Sequence, residues 1–347
     1  MAFDTMKPTI KTRFLIISDT HGAVPRDSVP GSTSHDPPAF RKPLRPADVV
    51  LHCGDMTTYS KFDEFHDTFK YLREMDAPLK LVIGGNHDGL LDPNFVERQL
   101  ADWSERPNYT PQIRENRYRE IAEVRATIED AKQDGVHYLE EGTYEFLLQN
   151  GAVLRLFASP RTPDHNSGGF QYKYEHDFPI QKPIDVAMTH GPAFGILDLS
   201  YKGANAGCRG LFRSLYKARP MLHCHGHIHE AWGAQLTTWK DVGDDVPTRA
   251  NALDMNQTKT LVDLASMDSD QGVNSEDAEK RKQRRKRLLK IGAAFMNVCE
   301  GGETVLRPGE QMLSVNAAIM DRKHRPSRTP WVVDLELSRA EPGEEDS

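Results

Sequence analysis

The sequence predicts an α/β fold, and three observations carry that prediction. Short apolar runs of strand length recur along the chain, polar stretches lie between them, and the early runs each stop at a cluster of Asp, His, Gly or Asn. Residues 13–18 form the first expected strand, 48–52 the second and 79–83 the third. Between the second and third, residues 60–75 space Phe62, Phe65, Phe69 and Leu72 three and four apart, the apolar stripe of an amphipathic helix. Strand, helix and strand in that order are the grammar of a βαβ unit. Further strands are expected at 144–148, 153–159, 185–189, 221–224, 312–317 and 331–337.

Two stretches break the pattern. Residues 28–46, rich in Pro, Ser and Arg, read as a long surface loop. Residues 248–302 are polar and nearly free of aromatics, and are expected to be an insertion, largely disordered apart from a short charged helix, because they lack the apolar surface that offsets ordering entropy. The insertion carries a run from Lys280 to Arg287 in which seven of eight residues are basic. That run reads either as a solvated helix or as a nuclear-import, nucleic-acid or acidic-lipid contact. The acidic tail, 341–347, is expected to be solvated, and the remainder of residues 1–347 to form a single domain.

Composition narrows the function classes. A chain of 347 residues with 44 Lys and Arg against 51 Asp and Glu has net charge −7, so no global field recruits nucleic acid or acidic lipid. The longest apolar runs have strand length, which argues against a membrane span. An acid and a proline stand near the N-terminus where a signal's apolar segment would lie, so an intracellular, cytoplasmic location is expected, with the nucleus as the alternative. Cys53, Cys208, Cys224 and Cys299 are far apart with no CxxC pair, which reads as reduced thiols.

Five clusters at strand ends hold the chemistry: Asp19-Thr-His21, Gly54-Asp55, Gly85-Asn86-His87-Asp88, Thr189-His190-Gly191 and His225-Gly-His227-Ile-His229. Carboxylates and imidazoles suit Mn, Fe, Zn or Ni dications, and about seven such donors imply two ions. Asp19 and His21, like His227 and His229, alternate on an extended turn and can face one ion. Asp55, freed by the preceding Gly54, is placed to bridge two.

In these five blocks and their order the chain resembles the calcineurin-like metallophosphoesterases, whose pattern is DxH, GD, GNH[DE], a lone His after a strand, and GHxH. The late blocks Val315-Asn-Ala-Ala-Ile and Pro330-Trp-Val-Val-Asp-Leu, with Gly207-Cys208, look more narrowly like the metallophosphoesterase-domain group typified by the brain protein 239 family. The resemblance implies two mixed β-sheets packed face to face and flanked by helices. It implies one ion on Asp19, His21, Asp55 and His229, and a second on Asp55, Asn86, His190 and His227, with Mn expected and Fe, Zn, Ni or Co compatible. His87 would then face the substrate phosphoryl and Asp88 would orient its ring. Two cations bring a bridging water to hydroxide near neutral pH and polarise the phosphoryl oxygens for attack.

Departures from relatives narrow the class. Protein Ser/Thr phosphatases carry GDxxDRG, whereas Asp55 is followed here by Met56-Thr57-Thr58-Tyr59. Purple acid phosphatases need a Tyr where Thr58 stands, and some members of the 239 group have Gly where His227 is intact here. The expected activity is hydrolysis of a small phosphodiester, a cyclic nucleotide favoured; a phosphomonoesterase and a non-catalytic scaffold are the alternatives. Arg161, His165, Asn166, Lys173 and His176 could supply a phosphate or base contact, or a solvated loop. His35, His66, His137 and His324 read as structural or surface residues.

Overall fold

The computed structural model describes residues 8–27, 38–165, 168–263 and 275–341, with 275–278 as backbone alone. Its strands are β1 (Thr9–Ile17), β2 (Val49–His52), β3 (Leu79–Val82), β4 (Val136–Tyr138), β5 (Gly142–Leu147), β6 (Val153–Ser159), β7 (Thr162–Pro163), β8 (Gln171–Tyr172), β9 (Val186–Thr189), β10 (Leu222–His225), β11 (Gly233–Thr238), β12 (Lys259–Asp263), β13 (Ala294–Asn297), β14 (Gln311–Asn316) and β15 (Trp331–Ser338). The helices are α1 (Phe62–Arg73), α2 (Pro93–Ser104), α3 (Pro111–Ala131), α4 (Arg209–Ala218), α5 (Arg249–Ala252) and α6 (Ser275–Ile291).

Two mixed sheets carry the fold. One runs β13-β15-β1-β2-β3-β4, the other β12-β11-β14-β10-β9-β6-β5. Strand alternation sorts the side chains into layers. Phe14, Ile16, Val49 and Leu51 of the first sheet meet Leu154, Leu156, Met188 and Val315 of the second in one buried cluster, so the sheets pack face to face. The intervening residues Leu15, Ile17 and Val50 point the other way, onto Phe65, Phe69 and Leu72 of α1 and Val124 and Ile128 of α3. On the far side of the second sheet, Phe157 and Ala187 pack with Leu211, Phe212 and Leu215 of α4. The result is four layers, helix, sheet, sheet, helix. Trp232, just before β11, and Trp331, opening β15, are both fully buried where the sheets meet, their rings 4.8 Å apart.

Of the segment 248–302, residues 264–274 lie outside the described residues, and the described parts hold more than a short charged helix. They supply β12, which edges the second sheet against β11, and β13, which edges the first beside β15. The physical reason is that an edge strand covers apolar surface on one side only, so Val262 and Ala294 suffice to anchor strands whose other residues are polar or half-exposed. The basic run lies on α6, whose Leu289 is buried. Residues 28–37, most of the expected loop, lie outside the described residues, as do 342–347 of the tail. Among the described residues, no helix is long and apolar enough to cross a membrane.

Candidate metal centre

Each cluster leaves directly from a buried strand. β1 delivers Asp19 and His21, β2 Asp55, the turn after β3 Asn86 and His87, β9 His190, and β10 His227 and His229. Backbone bonds stitch the turns together: Asp19 N–H donates to Gly54 O at 2.9 Å, His21 N–H to Asp55 O at 3.0 Å, and Gly226 N–H to His190 O at 3.0 Å. Turning so sharply forces left-handed backbone on Asp19 (φ 52°), His21 (45°), Asp55 (52°) and His227 (66°). Gly226 has no choice of residue, because a Cβ there would run into the Asp19 carboxylate.

The donors converge on Asp55. Its Oδ2 lies 3.7 Å from His21 Nε2 and 3.4 Å from His190 Nε2. On one side His21 Nε2 is 3.3 Å from His229 Nε2, which is 3.3 Å from Asp19 Oδ1. On the other, His190 Nε2 is 3.0 Å from Asn86 Oδ1, and the His227 ring is 5.0 Å from that of His190. All seven ligands expected from sequence are thus brought together, from both sheets.

The second ring nitrogens explain the orientation. Nδ1 of His21 donates to Thr57 O (3.2 Å), of His87 to Thr58 O (2.9 Å), of His190 to Cys53 O (2.9 Å) and of His229 to Asp321 O (3.3 Å). An imidazole whose Nδ1–H is spent on a carbonyl turns the Nε2 lone pair to the centre, as a metal ligand must.

Buried charge is concentrated at the centre. Asp19 and Asp55 are fully or almost fully buried, and burial alone would raise both carboxyls, yet His229 and His190 respectively hold them well below the usual carboxylate range. Burial lowers His21 to about 4 and His227 to about 3, leaving both rings neutral. Burial also opposes charge on His190, but Asp55 outweighs it and raises the ring to about 9. Two buried carboxylates among imidazoles and one amide are a donor set that fits divalent transition metals.

A cleft of about 790 Å³ opens onto the centre, walled by Asn86, His87, His165, His227, His229 and His324 and flanked by the exposed rings of Tyr59 and Tyr201. Asp88 does not orient His87. Its carboxylate instead accepts from Met56 N, Gly85 N, Thr57 N and Thr57 Oγ1 at 2.8–3.1 Å, because it is wholly buried beneath the turn and needs every donor there. Burial, then Asp55, raises it to about 7. Of the loop after β6, only His165 borders the cleft among its described candidates. Arg161 lies over Phe170, Lys173 borders a separate groove, and His176 pairs with Glu141 at 2.9 Å. Asn166 and His35 lie outside the described residues. His324, read as a structural or surface residue, instead stands 5.2 Å from the His21 ring and 5.6 Å from that of His229. Its lone imidazole in a polar stretch carried no sequence signal.

The profile of the calcineurin-like phosphoesterases matches residues 12–231, well over half the chain and all five clusters. The chain belongs to the calcineurin-like phosphoesterase family. Two similar proteins bracket what that membership carries. The metallophosphoesterase domain-containing protein 1 of Homo sapiens is 27% identical over 238 residues, covering 66% of this chain and 64% of that protein. A probable rhamnogalacturonate lyase C of Emericella nidulans is 29% identical over 237 residues, 65% of this chain but 18% of that protein. This calcineurin-like phosphoesterase therefore spans less than two thirds of either relative. Among solved structures, a purple acid phosphatase from yellow lupin seeds superposes at TM-score 0.36 with 11% identity, over 89% of this chain and 44% of that one, and carries no residue roles.

Proposed function

We propose that the protein hydrolyses a small phosphodiester, a cyclic nucleotide favoured, at a centre of two divalent cations, Mn expected. The observation that supports this is the position of Asp55 Oδ2, within 3.7 Å of ring nitrogens belonging to two separate donor groups. Asp19, His21, Asp55 and His229 would hold one cation; Asp55, Asn86, His190 and His227 the other. Bound there, the pair would supply a nucleophile from water at neutral pH and Lewis-acid polarisation of the phosphoryl oxygens.

The chain's own residues do the rest. His87, its Nδ1–H donated to Thr58 O, would act in its imidazolium form, giving the Nε2 proton to the leaving oxygen and keeping the Nδ1 one. The cleft walls orient the ester and exclude bulk water from one side of it. At the mouth, the exposed side chains of Tyr59 and Tyr201, with Arg322 lying 5.2 Å over the Tyr201 ring, offer aromatic and guanidinium surface that suits a nucleobase. Positive charge on the walls is partly neutralised: Arg322 is 3.4 Å from Glu230 and Arg117 is 2.9 Å from Glu120. A singly charged diester therefore suits the cleft better than a dianionic monoester.

The test compares steady-state kcat/KM on bis-p-nitrophenyl phosphate and p-nitrophenyl phosphate, then on a cyclic-nucleotide panel, with metal-loaded protein. Diester preference is expected. A monoester efficiency about tenfold higher, roughly 1.4 kcal/mol of transition-state stabilisation, would reverse the assignment.

A further inference from the structure

His324 lies on the loop between β14 and β15, more than ninety residues after the GHxH cluster, yet it belongs to the centre. One ligand atom each from His21, His229 and His324 falls within 4.8 Å of the others. Two nitrogens bound to a single cation at about 2.1 Å each stand roughly 3 to 4 Å apart, so three imidazoles this close need only small side-chain rotations to share an ion. His21 Nε2 and His229 Nε2, at 3.3 Å, already have that spacing.

The placement of His324 is built into the loop. The main-chain oxygen of Asp321 accepts from His324 N–H at 2.9 Å and from His229 Nδ1 at 3.3 Å, so a single carbonyl positions both imidazoles. The Asp321 side chain closes the same turn, accepting from Lys323 N at 2.8 Å, Arg325 N at 3.0 Å and Arg325 Nε at 2.8 Å. The ring of His324 is exposed and borders the cleft, on the solvent side of His21 and His229.

We propose that His324 is a further ligand of the cation held by Asp19, His21, Asp55 and His229, giving that site three imidazoles. The inference rests on the reading of Asp19, His21, Asp55 and His229 as a cation site, and not on the presence of the second cation. It makes the first site richer in nitrogen than the second, and it closes a coordination position that would otherwise be left to water or substrate.

Titration with Co(II) alone, without substrate, tests it. Wild-type protein should take up two equivalents and show a fifth hyperfine-shifted, exchangeable imidazole N–H signal by proton NMR, beyond those of His21, His190, His227 and His229. His324→Ala should lose that signal and bind one equivalent about ten- to a hundredfold more weakly, the other unchanged, while His324→Asp, which restores a ligand oxygen, should recover most of the affinity. His66→Ala, on the exposed side of α1, is the control. Unchanged constants and an unchanged signal count in His324→Ala would overturn the proposal. A wild-type protein that binds one equivalent and loses affinity in His324→Ala would sink the two-cation reading and keep this one. Wild-type protein that takes up no Co(II) would overturn both.

Discussion

Asp55 has two tasks that pull on one carboxylate: Oδ1 accepts the His87 N–H at 2.8 Å, while Oδ2 faces His21 and His190. Replacing it removes the shared donor, so Asp55→Ala is expected to bind neither cation. His87→Ala, by contrast, should keep both and lose roughly 10² to 10⁴ in kcat, the loss of a general acid. Metal analysis of the two purified variants separates the roles, and the assignment fails if the His87 variant is the one stripped of metal. Gly226→Ala makes a steric version of the same test. The new methyl would displace Asp19, so metal affinity should fall although no ligand is removed. Which side chains converge here is legible in sequence, since DxH, GD, GNH, the lone His190 and GHxH mark them outright. What was not legible is the set of carbonyls at Cys53, Thr57, Thr58 and Asp321 that aim the rings, because every residue has a carbonyl and only the fold decides which ones point inward.

At the level of elements, apolar periodicity decided what could be read. The stripe in α1 is plain in the sequence, and Phe69, wholly buried against the first sheet, should cost about 3–5 kcal/mol on truncation to Ala, measured by urea unfolding of the metal-loaded protein. β11 carries a weak signal although every residue of Gly233–Thr238 is buried, because Ala234 and Leu236 are its only apolar side chains beside Gly, Gln and two Thr. That of α3 is likewise weak: of its 21 residues only Val124, Ile128 and Ala131 are buried, too few to make a stripe. The pairing of β1 with β15 joins residues far apart in sequence, and Arg13 Nε to Asp334 Oδ1 at 2.7 Å, with Lys11 at 3.0 Å, locks it. Burial works against the Asp334 charge, but Arg13 and Lys11 outweigh it and hold the carboxyl below its ordinary value. A carboxyl depressed on folding stabilises above its unfolded pKa, about 3.9, and that stability is lost as pH falls through the folded value. Asp334→Asn should therefore be less stable at pH 7 by about 1 kcal/mol, a modest figure because Arg13 and Lys11 are half exposed, and the gap should close on acidification. A gap that held constant to pH 2 would contradict this.

Over the whole molecule, one arrangement makes the centre: parallel strands of two facing sheets end at the same rim, so ligands from β1, β2 and β3 meet those from β9 and β10. A cation bound across that rim ties one sheet to the other and favours the folded state alone. Stripping metal with a chelator should lower the melting temperature, and readdition at a hundred times the dissociation constant should restore about 2.7 kcal/mol per site. Melting unaffected by chelation would mean that the ligands do not join the sheets energetically. The adjacent indoles of Trp232 and Trp331, tilted 31° to each other, make the same junction visible by light. At 4.8 Å their excited states couple, so the folded protein should show a paired positive and negative band in circular dichroism, absent from Trp331→Phe. Each ring belongs to a different sheet, and Trp232 lies three residues beyond His229, so that band is an optical gauge of the gap between the sheets. It should fade as they part, ahead of the backbone signal, and sharpen when the rim is filled.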